Sequence, residues 1–221
     1  MKLFLESASL ADIPWAIDAR LADGVYITPG ALDTDAFGVD PLEQVEQIAR
    51  RTAEPILAVA GAVTAEDLYA TGRDLAKVSD HISVVVPFVE DGMDALLRLN
   101  TEGIRTVASF VVTPAQALLA AKCGAVAVLI ATDHLDQHGH DAAAVLTDTV
   151  ALFARHAIAC DVLGAAAGSP RVAAQGMLAG ADGITLSVSA LRALAQHPLT
   201  DRALDQMLGE LSRRPRPRLT K

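Results

Sequence analysis

Asp80-His81-Ile82-Ser83-Val84-Val85-Val86-Pro87 reads as a β-strand. It is rich in β-branched residues and shows little alternation of apolar and polar positions. A strand of that kind is buried on both faces, as in a parallel sheet covered by helices. Pro87 ends it, and Glu90-Asp91-Gly92 opens a helix. The same pattern recurs on either side. Lys2–Leu5, Gly24–Ile27, Ile56–Ala60, Thr106–Val111, Val126–Ile130, Ala159–Leu163 and Gly183–Leu186 are short, continuously apolar runs.

Helical patterns fill the gaps: Ser7–Leu21, Pro41–Arg51, Thr64–Lys77, Asp91–Gly103, Thr113–Cys123, Asp141–His156 and Ser169–Ala179. Several carry proline in the first turn, Thr64 and Asp67 form a capping box, and Gly103 closes a C-terminus. Ser189–Ala195 and Asp201–Leu211 are further helices, while Asp33–Asp40 and Ala131–His140 read as polar loops. Strands and helices alternate at spacings of about 20–30 residues, which predicts a single α/β domain, a (β/α)8 TIM barrel with an extra C-terminal helix. A doubly wound open sheet would carry a Gly-rich dinucleotide turn after an early strand. The nearest candidate, Gly164-Ala165-Ala166-Ala167-Gly168, is a weak match. The barrel is expected over residues 1–211, with a basic, disordered tail over 212–221.

The 221 residues are 52% hydrophobic but only 4% aromatic, so the core must be aliphatic. The net charge of −9 and pI near 5.0 argue against nucleic-acid binding, which needs a basic face. The exception is Arg213-Arg214-Pro215-Arg216-Pro217-Arg218, read either as a solvated tail or as a docking segment for an acidic partner. Cys123 and Cys160 form neither a disulfide framework nor a zinc pattern; buried and reduced thiols suggest the cytoplasm. No apolar run is long enough for a membrane span.

Active sites of such barrels lie at the C-terminal ends of the strands. Those ends present Glu6, Tyr26 and Thr28, Val59, Val85, Ser109, then Leu129 and Ala131 leading into Asp133-His134, and Ala166. Glu6, Asp133 and His134 are the candidate catalytic groups, and the others are candidates for lining a ligand pocket. Asp133 with His134 fits a general acid/base pair or a metal site, or the stretch is simply the entry to a helix with Asp141 near its N-terminus and solvated histidines. His134, His138 and His140 are spaced four and then two apart, which matches no common metal pattern, and no metal is expected. The lysines are Lys2, Lys77, Lys122 and Lys221, and none stands at a strand end facing the mouth.

Phe4-Leu5-Glu6-Ser7-Ala8, Asp23-Gly24-Val25 with Thr28-Pro29, and Glu102-Gly103-Ile104-Arg105-Thr106 form an ordered set of motifs. Gln116 to Ala125, then Asp136, Gly139, His140 and Asp141, and His197-Pro198-Leu199-Thr200-Asp201 complete it. Together they resemble the small-subunit transaldolases and fructose-6-phosphate aldolases, from Met1 to about Leu211. The resemblance implies a homo-oligomer, a pentamer or decamer, without metal or organic cofactor. It also implies a lysine that forms a Schiff base with a ketose, a carboxylate that moves the proton through water, and serine and arginine that hold a phosphate. The departures fall on those positions: Val85 replaces the lysine, Glu6 an aspartate, Thr28 an asparagine and Val59 a polar group. His134 replaces an arginine and Ala166 a serine, while Ser109 keeps its hydroxyl.

One expectation is therefore a diverged family member that binds a small molecule less polar than a sugar phosphate, or runs an altered reaction. If it is an enzyme, it is a relative of aldehyde-lyases and transferases that does not use a Schiff base at Val85. The alternatives are a non-catalytic oligomeric scaffold or regulator, and a genuine fructose-6-phosphate aldolase or transaldolase. Fold alone does not choose among them.

Overall fold

The computed structural model describes residues 1–32, 40–166 and 168–213. Most of the expected loop at 33–40, Ala167 and the tail from Arg214 onward lie outside the described residues. The chain runs β1 (Lys2–Glu6), α1 (Asp12–Asp18), β2 (Gly24–Ile27), α2 (Pro29–Leu32), α3 (Pro41–Ala49) and β3 (Ile56–Val59). It continues through α4 (Ala65–Val78), β4 (Ile82–Pro87), α5 (Glu90–Thr101), β5 (Thr106–Val111), α6 (Pro114–Lys122) and β6 (Ala127–Ile130). Then come α7 (Thr132–Gln137), α8 (Ala142–Arg155), β7 (Asp161–Ala165), α9 (Pro170–Leu178), β8 (Gly183–Ser187), α10 (Val188–Leu194) and α11 (Pro198–Arg213).

The eight strands close into one parallel barrel in chain order, with β1 paired to β8. The expected (β/α)8 barrel with an additional C-terminal helix is what forms. Side chains alternate across each strand, so the barrel has two cores. Leu5, Val25, Ile56, Val84, Val86, Val128, Ile130 and Ile184 face outward and pack under the helices. Phe4, Tyr26, Leu57, Val85, Val107, Ala127, Leu129 and Leu163 fill the interior. The unbroken apolar run of β4 is explained by this: Val84 and Val86 serve one core and Val85 the other.

Local chemistry sets the boundaries. The Asp67 N–H donates to Thr64 Oγ1 at 3.2 Å, Gln116 N–H to Thr113 Oγ1 at 3.2 Å, and Val172 N–H to Ser169 Oγ at 3.2 Å, each capping a helix N-terminus. Gly92 lets α5 settle on the end of β4, since a Cβ there would stand 1.9 Å from the Pro87 carbonyl oxygen. Two expectations need correction. Ala131–His140 is not a loop throughout, because Thr132–Gln137 forms α7 directly off β6. β7 also ends at Ala165 rather than Leu163. Among the described residues, no helix is long and apolar enough to cross a membrane.

Candidate functional site

A cavity of about 270 Å³ opens at the C-terminal mouth of the barrel. β1 and β2 contribute Glu6, Tyr26 and Thr28; β5 contributes Ser109; β6 contributes Leu129, and Ala131 follows it. α7 adds Asp133 and His134. The residues read from the strand ends thus largely converge, because a closed parallel barrel brings the C-terminal ends of all its strands to one mouth.

Three candidates lie elsewhere. Val85 is 0% exposed within the inner core and does not line the cavity. Val59 packs against that core but borders a different cavity, of about 540 Å³, with Ile27, Pro29 and Val45. Ala166 faces outward into the sheet–helix core, and its neighbour Ala165 lines the mouth instead. The cause is phase: with β7 running through Ala165, alternation sends 165 inward and 166 outward.

The sequence reading missed Phe110, Gln137 and Ala165. Gln137 follows Asp133 by four residues and His134 by three, the spacing that puts helical side chains on one face. That signal was present once the segment is read as a helix. Phe110 gave none. The pairing of β5 with β6 shifts between Ala108 and Val111, and Phe110 there takes φ +58°. Phe110 is 57% exposed, and its ring stands edge-on to that of His134, with centroids 6.1 Å apart.

Glu6 is half-buried, and burial raises its carboxyl pKa above the usual range. Thr28 Oγ1, donating to Glu6 Oε1 at 3.4 Å, works the other way, and the negative charge of Asp133 raises it further. Burial, then the charge of Glu6, pushes the Tyr26 phenol up, so Tyr26 stays protonated. Asp133 Oδ2 accepts from the Gly168 N–H at 3.1 Å, and Thr132 Oγ1 donates to the Ala165 carbonyl. These bonds fasten α7 across the end of β7. Ser109 is 3% exposed, and its Oγ has no hydrogen-bond partner among the described residues.

His138 and His140 take no part in the mouth; the His138 ring bonds the His134 carbonyl oxygen at 2.7 Å through Nδ1. Arg171 is held by both Asp136 oxygens at 2.7 Å, outside the cavity lining. Lys2 pairs with Asp161 at the opposite end of the barrel, Lys77 with Asp74 on α4, and Lys122 borders a groove between α6 and α8. Among the described residues, no lysine or arginine lines the mouth. Nor do three His, Cys, Asp or Glu side chains gather in a way that would hold a metal ion.

The family model for transaldolase/fructose-6-phosphate aldolase matches residues 45–215. The chain belongs to that family. A probable transaldolase of Chlorobium phaeobacteroides is 33% identical over 94% of this chain and 95% of its own length. One from Herpetosiphon aurantiacus is 34% identical over 94% and 93%, and one from Prosthecochloris aestuarii 32% over 96% and 98%. Within this transaldolase-family barrel the described lining of the mouth offers two carboxyl groups, protonated Tyr26, a Ser109 hydroxyl with no partner among the described residues, and an apolar floor at Leu129 and Ala131. That combination can orient a small molecule and move a proton at one of its oxygens.

Proposed function

We propose that this transaldolase-family protein has left Schiff-base chemistry and holds a small, unphosphorylated molecule at the barrel mouth. Glu6 is the group that moves a proton, and Asp133 and His134 border its path. Tyr26, Thr28 and Ser109 orient the ligand. The observation that carries the reading is the inner face of β4, where Val85 is fully buried in the inner core that also holds Leu57, Val107 and Leu163. A Schiff base needs an amine aimed into the pocket, and the inner face of β4 carries only an isopropyl group at Val85. The absence of lysine and arginine from the described lining supports the further point that the ligand carries no phosphate.

The same proposal includes a homo-oligomer, a pentamer or decamer. Its support is α11, exposed along Pro198–Ser212, with Leu204, Met207, Leu208 and Leu211 at helical spacing on one face. A cytoplasmic location belongs to it too, supported by the free thiols Cys123 and Cys160, the latter buried with its pKa pushed up to about 12.

The test is borohydride trapping with fructose 6-phosphate and with dihydroxyacetone, read by intact mass. The native chain is expected to give no adduct, while Val85→Lys gives one with dihydroxyacetone. An adduct on the native chain would return the ordinary aldolase reading. A Val85→Lys chain that folds yet traps nothing would favour the scaffold reading.

A further inference from the structure

We propose that the mouth takes a small aromatic compound of one ring, with a carbonyl or hydroxyl oxygen at its inner end. The inference rests on the reading of the mouth as a ligand site and names the class of ligand it takes. The lining of the cavity is divided. Glu6, Tyr26 and Thr28 stand on the side of β1 and β2. Across the barrel, β5 to β7 and their ends supply Phe110, Leu129, Ala131 and Ala165, an apolar wall in which Ser109 is the one polar side chain among the described lining. A polyol such as a sugar asks for hydrogen-bonding groups along both walls. At about 270 Å³ the cavity falls below the roughly 300–1,000 Å³ of pockets for drug-sized ligands, which fits a single ring.

The rings of Phe110 and His134 both line the cavity and meet at 79°. A third ring entering this corner stacks on one of them and stands edge-on to the other, the two arrangements that aromatic pairs favour. Phe110 is 57% exposed, although phenylalanine is among the residues most often buried. Its φ of +58° costs a non-glycine residue energy, and such cost is concentrated at functional sites. Two unfavourable features, exposure and strain, thus hold one ring at the rim, and a ligand ring packed on it removes the first. Ser109, the residue before it, has its Oγ buried at the cavity with no partner among the described residues, although a buried hydroxyl ordinarily has one. A ligand oxygen supplies that partner. The Tyr26 phenol lines the same cavity and gives a carbonyl a second hydroxyl to accept from.

Three ketones test this on the full chain: acetophenone, cyclohexyl methyl ketone and dihydroxyacetone. Affinities are read by ligand-detected NMR titration. Acetophenone is expected to bind at least about tenfold more tightly than dihydroxyacetone, and several-fold more tightly than cyclohexyl methyl ketone, whose ring has no π face. Phe110→Leu keeps apolar bulk at the rim without the aromatic ring, and should bring the two cyclic ketones level. Ser109→Ala should weaken both cyclic ketones several-fold and leave their ratio unchanged. Thermal unfolding shows that each variant is folded. Equal binding of the two cyclic ketones, tighter binding of dihydroxyacetone, or a preference for acetophenone that survives Phe110→Leu would overturn the aromatic assignment while leaving the mouth a ligand site. Affinities untouched by Ser109→Ala would overturn the placing of the ligand oxygen. Binding of none of the three would overturn both readings.

Discussion

Replacing Ser109 with alanine should make the protein more stable. The hydroxyl is 3% exposed and its Oγ finds no partner among the described residues. A buried donor left unsatisfied costs about 1–3 kcal/mol in lost hydration, and alanine removes that cost while leaving almost no void. The expected gain is about 1–2 kcal/mol, which for a chain of this size raises the midpoint of thermal unfolding by roughly 2–8 °C. Thr185→Val should act in the same direction, since Thr185 is 0% exposed with an equally unpartnered Oγ1. Thr149→Val is the control of opposite sign. Thr149 is just as buried, but its hydroxyl donates to the Val145 carbonyl at 2.7 Å, and losing that bond costs about 0.5–1.5 kcal/mol. Urea unfolding of the three variants beside the native chain supplies the numbers. A Ser109→Ala chain destabilised by about 1 kcal/mol or more would mean that an internal water satisfies the hydroxyl, and the reasoning from Ser109 to a ligand would fall with it. The same variant should hold the ligand of the mouth less well, so stability and affinity move in opposite directions, as expected where a site is kept at the expense of stability.

Other consequences can be read in parallel. Because the folded pKa of Glu6 lies above its ordinary value, Glu6 favours the native state most below that ordinary value, and the benefit is lost as pH rises through the folded pKa. Glu6→Gln should therefore gain stability relative to the native chain as pH is raised from about 4 to neutrality; Asp133, Tyr26, Thr28 and His134 are the groups facing it, and a difference flat with pH would contradict the burial argument. Gly92→Ala should cost about 3 kcal/mol, since its Cβ would stand 1.9 Å from the Pro87 carbonyl oxygen at the junction of β4 and α5; a near-neutral urea midpoint would show that the junction yields. The double change Leu204→Glu with Leu208→Glu should lower the solution mass by light scattering without shifting the far-ultraviolet helix signal, and an unchanged mass would remove α11 from the assembly surface.

The barrel was legible because each strand is short and apolar on both faces, and because Thr64, Thr113 and Ser169 announce helix starts in side-chain chemistry. Most of the mouth followed from strand ends alone, since a closed parallel barrel brings all of them to one rim. What failed were questions of phase and of backbone. Gly164-Ala165-Ala166 offers no polar residue to mark which side faces in, so the end of β7 came out two residues short and Ala166 was placed in the mouth. The shift between β5 and β6 turns on the left-handed φ of Phe110, a conformation a phenylalanine side chain does nothing to announce. The polar run Thr132–Gln137 reads as a loop, yet Thr132 and Leu135 are both buried and anchor it as α7.

Val85→Lys, the variant that tests the loss of Schiff-base chemistry, also carries a prediction about stability. Val85 is 0% exposed and belongs to the apolar inner core with Leu57, Val107 and Leu163, so a lysine there enters an apolar interior. Burial of this kind depresses a lysine pKa by up to about 3–5 units, at about 1.4 kcal/mol per unit for the charged form. The native state then binds fewer protons than the unfolded chain, so stability rises with pH between the folded and unfolded pKa values. The variant should be several kcal/mol less stable than the native chain near neutrality, roughly 4 if the shift is about 3 units, and should recover as pH approaches about 10. Urea midpoints across that range measure the recovery, and borohydride trapping should follow it, because the neutral amine that relieves the strain is also the nucleophile. Destabilisation that does not change with pH would mean the lysine reaches water through the mouth. Chemistry at this position and stability of the inner core are opposed, and valine resolves the conflict in favour of the core without disturbing the sheet–helix packing that Val84 and Val86 supply on the other face. That separation of faces is what lets a barrel exchange its reaction while keeping its fold.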